Sequence, residues 1–158
     1  MLIDQRLAKL VAPLCDHPES IVVKTVEGRD TMVLEFAVHE SDFGRVLGKR
    51  GQMIDALRYL LAAAAEKKGW KLVVKLKRPD RRADGTMNNS EIKEVWDQNA
   101  FRELLLLAVE PWAGRVRLED KRADTVAEIS GTPRHEGISL YAHVLGWRFG
   151  RHVGVSFV

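Results

Sequence analysis

The chain has 158 residues, 46% of them hydrophobic and 30% charged, with a net charge of +3: a globular composition with its own core, enough for one ordinary domain or two small ones. The longest apolar runs, Leu60 to Ala65 and Leu104 to Val109, fall far short of the roughly 18 residues of a membrane span, and Asp4, Arg6 and Lys9 interrupt any signal sequence, so a cytoplasmic protein without a membrane partner is expected. Cys15 is the only cysteine, which excludes an intrachain disulfide and a thiolate metal cluster.

Ile3, Leu7, Leu10, Val11 and Leu14 recur at helical spacing, and Asp16-His17-Pro18 stops that helix. Ile21 to Val26 and Thr31 to Val38 are rich in β-branched residues and bracket Glu27-Gly28-Arg29-Asp30, which predicts a hairpin. Ser41-Asp42 can cap a short helix through Leu47, after which Gly48-Lys49-Arg50-Gly51 breaks the pattern. A second helix follows with the stripe Met53, Leu57, Leu60, Leu61 and Ala64, and Gly69 supplies its stop. Leu72, Val74 and Leu76 alternate with Lys71, Lys75 and Lys77, the mark of a strand. The order is αββααβ.

Lys77 to Asn89, with Pro79, Gly85 and two asparagines, reads as a basic linker. Beyond it a helix is expected over Glu91 to Glu110, capped at Asn89 or Ser90, then strands near Arg115 to Leu118 and Thr125 to Ile129, a helix between His135 and Phe149, and a strand over Val153 to Phe157. That order is αββαβ. It resembles a degenerate repeat of the first: Asp4-Gln5 with Asp97-Gln98, Pro18 with Pro111, and Asp30-Thr31 with Asp124-Thr125 stand at offsets of 93, 93 and 94. The expected α+β architecture is thus a unit over 1–77, a linker over 78–89 and a smaller unit over 90–158 that lacks the glycine loop.

Charge is unevenly spread. From Phe43 to Arg82 twelve basic residues face Asp55, Glu66 and Asp80 alone, an excess that suits a polyanion. Gly48-Lys49-Arg50-Gly51 lies inside this segment between two helices. Its glycines permit backbone angles closed to other residues and remove the Cβ that would hold a nucleic-acid backbone away. The next helix start points unpaired N–H groups and partial positive charge above the loop, and Lys49 and Arg50 add full charges for phosphate.

The run Val46-Leu47-Gly48-Lys49-Arg50-Gly51-Gln52-Met53-Ile54, set in αββααβ order, resembles a type II KH domain, and Leu10 to Leu76, with Pro13-Leu14, Asp16-His17-Pro18 and the alanine-rich helix, resembles the small bacterial KH-domain RNA-binding protein A family. The resemblance implies a G-x-x-G loop clamping about four nucleotides of single-stranded RNA beside an apolar groove. Carried over by motif, the RNA-binding residues are Gly48, Lys49, Arg50 and Gly51, flanked by Arg45, Gln52 and Arg58. Val46, Leu47, Ile54 and Leu57 form the groove floor, walled by Leu72 to Leu76, with Lys67, Lys68 and Lys71 at the far lip. Trp70 offers either a stacking face for a base or packing beneath its turn.

Catalysis is not expected. Gly44 and Gly48-Lys49 are separated by three residues and followed by Arg50, so they do not form a nucleotide-binding P-loop, and the five histidines show no metal-ligand spacing. No metal or cofactor is expected, and no local nucleophile signature is present. The expected function is RNA binding, as an RNA chaperone or a ribosome or RNA-processing factor, with a homodimer or a protein partner as further company. The alternative is a protein-interaction scaffold with a KH fold, docking its partner through the aromatic-rich second unit of Trp96, Trp112, Trp147, Phe101, Phe149 and Phe157.

Overall fold

The computed structural model describes residues 2–78, 97–121 and 124–158. Its first half runs α1 (Ile3–Val11), β1 (Val22–Glu27), β2 (Thr31–Ala37), α2 (Glu40–Leu47), α3 (Gln52–Glu66) and β3 (Lys71–Leu76); its second runs α4 (Gln98–Val109), β4 (Arg115–Lys121), β5 (Asp124–Ser130), α5 (Glu136–Arg148) and β6 (His152–Phe157). The fold is α+β with two three-stranded sheets, in the αββααβ and αββαβ orders.

Each sheet has its central strand antiparallel to the preceding strand and parallel to the last. On β2 the alternation buries Met32, Leu34 and Phe36; on β5 it buries Thr125, Ala127 and Ile129. A period of two puts these side chains on the one face covered by helices, where apolar area removed from water stabilises the sheet by about 25 cal/mol per Å2.

The two halves agree residue by residue. Val22 pairs with Ala37 and Glu27 with Met32; adding 93 to each number gives the observed pairs Arg115 with Ser130 and Asp120 with Thr125. On the parallel side Thr31 pairs with Lys71, forty residues on, whereas Asp124 pairs with His152, twenty-eight residues on. The difference of twelve is the length of 40–51, α2 plus the glycine loop. Two expected correspondences change. Asp4 is the second residue of α1 whereas Asp97 is the N-cap of α4, so Asp4-Gln5 and Asp97-Gln98 are not equivalent. The counterpart of Pro111 is Pro13, not Pro18, because Pro13 and Pro111 each occupy the start of the 3-10 turn that ends a leading helix, Ala12–Leu14 and Glu110–Trp112, where a missing N–H costs nothing. Pro18 opens a separate turn, Pro18–Ser20.

A continuous helix from Glu91 to Glu110 is also corrected. Asp97 has extended backbone angles, φ −121° and ψ 102°, and its carboxylate accepts from the N–H groups of Asn99 and Ala100, so α4 begins at Gln98. The expected caps Asn89 and Ser90, Trp96 and most of the expected linker lie outside the described residues.

Helices of the two halves face each other and share one apolar core. α3 packs on α5 and α1 on α4, each helix against its own counterpart, while α5 meets the turn Ala12–Leu14 and α3 meets the turn Glu110–Trp112. Such reciprocal packing defines a two-fold relation between like units, here within one chain. Near the crossing, a Cβ placed on Gly137 would lie 3.2 Å from the Cα of Ala56. These two residues are themselves equivalent, 81 apart like Lys71 and His152. The buried Tyr141 hydroxyl on α5 donates to the Leu10 carbonyl oxygen at 2.8 Å, and burial pushes its phenol far above the usual range.

Candidate nucleic-acid interface

The loop between α2 and α3 is built on three successive demands on the backbone. Gly48 closes α2 with φ 75° and ψ 170°, Arg50 stands at φ 55° and Gly51 at φ 73°. A side chain at Gly48 is excluded twice, since those angles are open essentially to glycine alone and a Cβ would lie 2.7 Å from both the backbone nitrogen and the Cβ of Met53. At Gly51 a Cβ would meet only the Ile54 Cγ2, at an ordinary 3.8 Å. Gly48→Ala is therefore expected to cost about 3 kcal/mol and Gly51→Ala about 1 kcal/mol. Equilibrium unfolding in denaturant of the two variants checks the difference; equal losses would contradict the geometry.

Lys49 and Arg50 are exposed at the tip. Behind them α3 starts on Gly51 without a side-chain cap, whereas α2, α4 and α5 are capped by His39, Asp97 and His135. The N–H groups of Gly51 and Gln52 donate within the loop, to the carbonyl oxygens of Gly48 and Lys49, so what this helix start presents outward is two cations at the positive end of a fifteen-residue helix. Arg50, a non-glycine residue in the left-handed region, carries backbone strain on the order of 1 kcal/mol, which sets its side chain outside the regular helix path.

The other expected RNA-binding residues occupy different environments. Gln52 and Arg58 are exposed on α3; Arg58 donates from Nε to the Val74 carbonyl oxygen at 3.1 Å and pairs with Asp55 at 2.8 Å, so it spans from α3 to β3. Val46, Ile54 and Leu57 are buried in the core and Leu47 is half-buried, so these apolar residues, expected as a groove floor, offer little surface of their own. Lys67, Lys68 and Lys71 are exposed around Gly69, at the other end of α3 from the loop, roughly 20 Å away at 1.5 Å per residue. The loop and the lysine turn are two patches. Trp70 is half-buried and packs against the core.

Arg45 is held by acids. Its guanidinium reaches Asp42 at 3.1 Å and Asp16 at 3.3 Å, and donates to the Leu14 carbonyl oxygen at 3.3 Å. The fully buried Asp42 carboxylate also accepts the N–H groups of Asp16 and His17, both at 3.0 Å. From the second half, Arg148 donates to Asp16 at 2.8 Å, to the Pro13 carbonyl oxygen at 3.1 Å and to that of Cys15 at 3.4 Å. Burial alone would raise the Asp16 carboxyl; the hydrogen bond from Arg148 and the charges of Arg45 and Arg148 outweigh it and hold the group below its ordinary value. This network ties the helix that carries the loop to α5. Periodicity along the chain shows only its Arg45–Asp42 pair, three residues apart on α2; the other links join residues 25 to 135 apart.

Comparisons with known proteins agree on the first half. The family model for the KhpA/KhpB KH domain matches residues 4–76. The RNA-binding protein KhpA of Chlamydia muridarum is 36% identical over 70 residues, 44% of this chain and 90% of that protein. Its namesakes from Clostridium perfringens and Listeria monocytogenes are 37% and 33% identical over 73 and 69 residues, covering 97% and 91% of their lengths.

Proposed function

Because this chain belongs to the KhpA/KhpB KH-domain family through residues 4–76, we propose that it binds single-stranded RNA, gripping the backbone at Gly48 to Gly51. The observation that carries this reading is the pair of exposed cations on a glycine-bounded turn in front of an uncapped helix start. Phosphate oxygens accept from Lys49 and Arg50 and lie at the positive end of the α3 dipole, while Gly48 and Gly51 let the strand approach the backbone. Gln52 and Arg58 line the exit along α3, and Lys67, Lys68 and Lys71 form a second, electrostatic patch for a longer strand. Arg45, Val46, Leu47, Ile54 and Leu57 hold this surface in shape.

The action is binding without covalent chemistry, in the manner of an RNA chaperone or RNA-processing factor in the cytoplasm. In this reading 1–77 is the KH domain, 78–89 a basic tether, and 90–158 a second KH-like unit that braces the first. The scaffold alternative rests on Trp147, 55% exposed on α5. Affinity of the purified chain for unstructured RNA oligonucleotides, measured by fluorescence anisotropy across salt concentration, tests the proposal. Tight binding that weakens with salt supports it, and absence of binding at low salt would leave the scaffold.

A further inference from the structure

The second half lacks a glycine loop, yet it retains an open cleft where the first half is closed. In the first half the flank between α3 and β3 is bridged by Arg58, which reaches the Val74 carbonyl oxygen. The equivalent positions, 81 residues on, are Ser139 and Val155, and the short serine leaves the flank between α5 and β6 open. A cavity of about 950 Å3 occupies it, lined by Ser139, His143 and Phe157 and, across the junction of the two halves, by Gln52 and Asp55 from the first turn of α3. Gln52 directly follows Gly51, so the cleft begins where the proposed RNA clamp ends.

Its chemistry suits base edges better than phosphates. Among the lining residues Glu136 and Asp55, the latter paired with Arg58, carry negative charge and Arg134 positive, so the cleft has no positive excess to draw a phosphate. Carboxylates accept from exocyclic amino groups of bases. The two histidines are set in complementary ways. The His143 Nδ1 lies 2.6 Å from the Ser139 carbonyl oxygen and must donate to it, leaving Nε2 of the neutral ring as an acceptor. The His135 Nδ1 accepts from the Gly137 N–H, which puts its proton on Nε2 as a donor, and the ring is held flat against Tyr59 with centroids 3.4 Å apart. Fixed donors and acceptors beside the apolar Phe157 are what an unstacked base requires.

Resting on the clamp reading above, we propose that this cleft is a second nucleotide subsite: it takes the bases of the RNA strand leaving Gly48 to Gly51 and favours bases with an exocyclic amino group over uracil. The degenerate half then supplies base recognition, and the first half supplies the backbone grip for both.

The test uses the full chain, a tetranucleotide that fills the clamp alone, and the same tetranucleotide extended at its 5′ or 3′ end by four cytidines, four uridines or four abasic residues. At one end the cytidine extension is expected to tighten binding by about fivefold or more, the uridine extension less, and the abasic extension not at all. Ser139→Phe, which fills the cleft, should abolish the gain and leave tetranucleotide binding unchanged. Glu136→Gln, at an exposed position that should not disturb folding, should narrow the cytidine-to-uridine difference. A cytidine extension no better than an abasic one, or a Ser139→Phe protein of unchanged melting temperature that keeps the gain, would overturn the subsite while the clamp stands. If Ser139→Phe does not fold, an unchanged cytidine-to-uridine difference in Glu136→Gln overturns it. Failure of the unaltered chain to bind even the tetranucleotide would instead remove the clamp, and this subsite with it.

Discussion

Replacing Lys49 and Arg50 together by Asp is expected to lower affinity for single-stranded RNA by about a hundredfold at moderate salt while leaving the fold intact. The two side chains are exposed at the loop tip, and surface changes away from caps and cores usually move stability by no more than about 0.5 kcal/mol. Position 50 is also indulgent in this respect, because its φ of 55° lies where Asp is tolerated better than Arg. Binding has no such protection. Each charge-assisted hydrogen bond to phosphate is worth about 1.5 kcal/mol or more, and two of them turn repulsive. For a single strand the slope of log K against log salt should fall by about 0.7 for each phosphate that is no longer neutralised. Because Lys67, Lys68 and Lys71 form a separate patch at the far end of α3, a weak, salt-sensitive attraction should survive at low ionic strength. The measurement is anisotropy at several salt concentrations with a melting curve beside it. A folded double variant with unchanged affinity and slope would mean that Gly48 to Gly51 is only a structural turn, and the scaffold would take first place.

How far the sequence alone reaches can be seen from particular residues. The first half is legible because its local signals point the same way: β-branched runs around a polar hairpin, a glycine where α3 must stop, and the Leu72, Val74, Leu76 alternation, so strand ends agree with the structure to within a residue or two. The order of the second half and its likeness to the first are also legible, through the offset of 93 that reappears in strand register. Apolar spacing overextends its leading helix because Val95 continues the pattern, while the Asp97 cap that starts α4 competes with nothing stronger nearby. The same spacing along α2 and α3 shows that Val46, Ile54 and Leu57 face inward, but it does not distinguish a core from the floor of a groove. The two-fold packing of the halves, the Arg45 network and the cleft beside α5 are out of its reach, because each depends on residues far apart in sequence that only the tertiary fold brings together.

Arg148→Ala is expected to destabilise the folded chain by about 3 kcal/mol, within the range for removing one partner of a buried ion pair. The guanidinium is 7% exposed, and its loss takes this ion pair from the Asp16 carboxylate and this donor from the Pro13 and Cys15 carbonyl oxygens. For a chain of this size the melting temperature should fall by about 10 °C, at some 2 to 4 °C per kcal/mol. Part of that stability depends on pH in a direction the structure dictates. Asp16 is held below its ordinary value of 3.8 in the folded chain, so near that pH the unfolded chain binds more protons and folding stability rises with pH. The contribution is fully present above 3.8 and is lost as pH falls through the lowered folded value. Removing Arg148 takes away the strongest of the interactions that lower it, so the variant should be less stable at neutral pH and should also lose less on acidification. Urea unfolding of both proteins from about pH 6 to about pH 2.5 measures the two slopes, and Asp16→Asn with the double variant completes a cycle for the pair. A coupling near zero, or parallel pH profiles, would show that Asp16 and Arg148 act independently and that α2 and its loop are not braced from the second half through this ion pair.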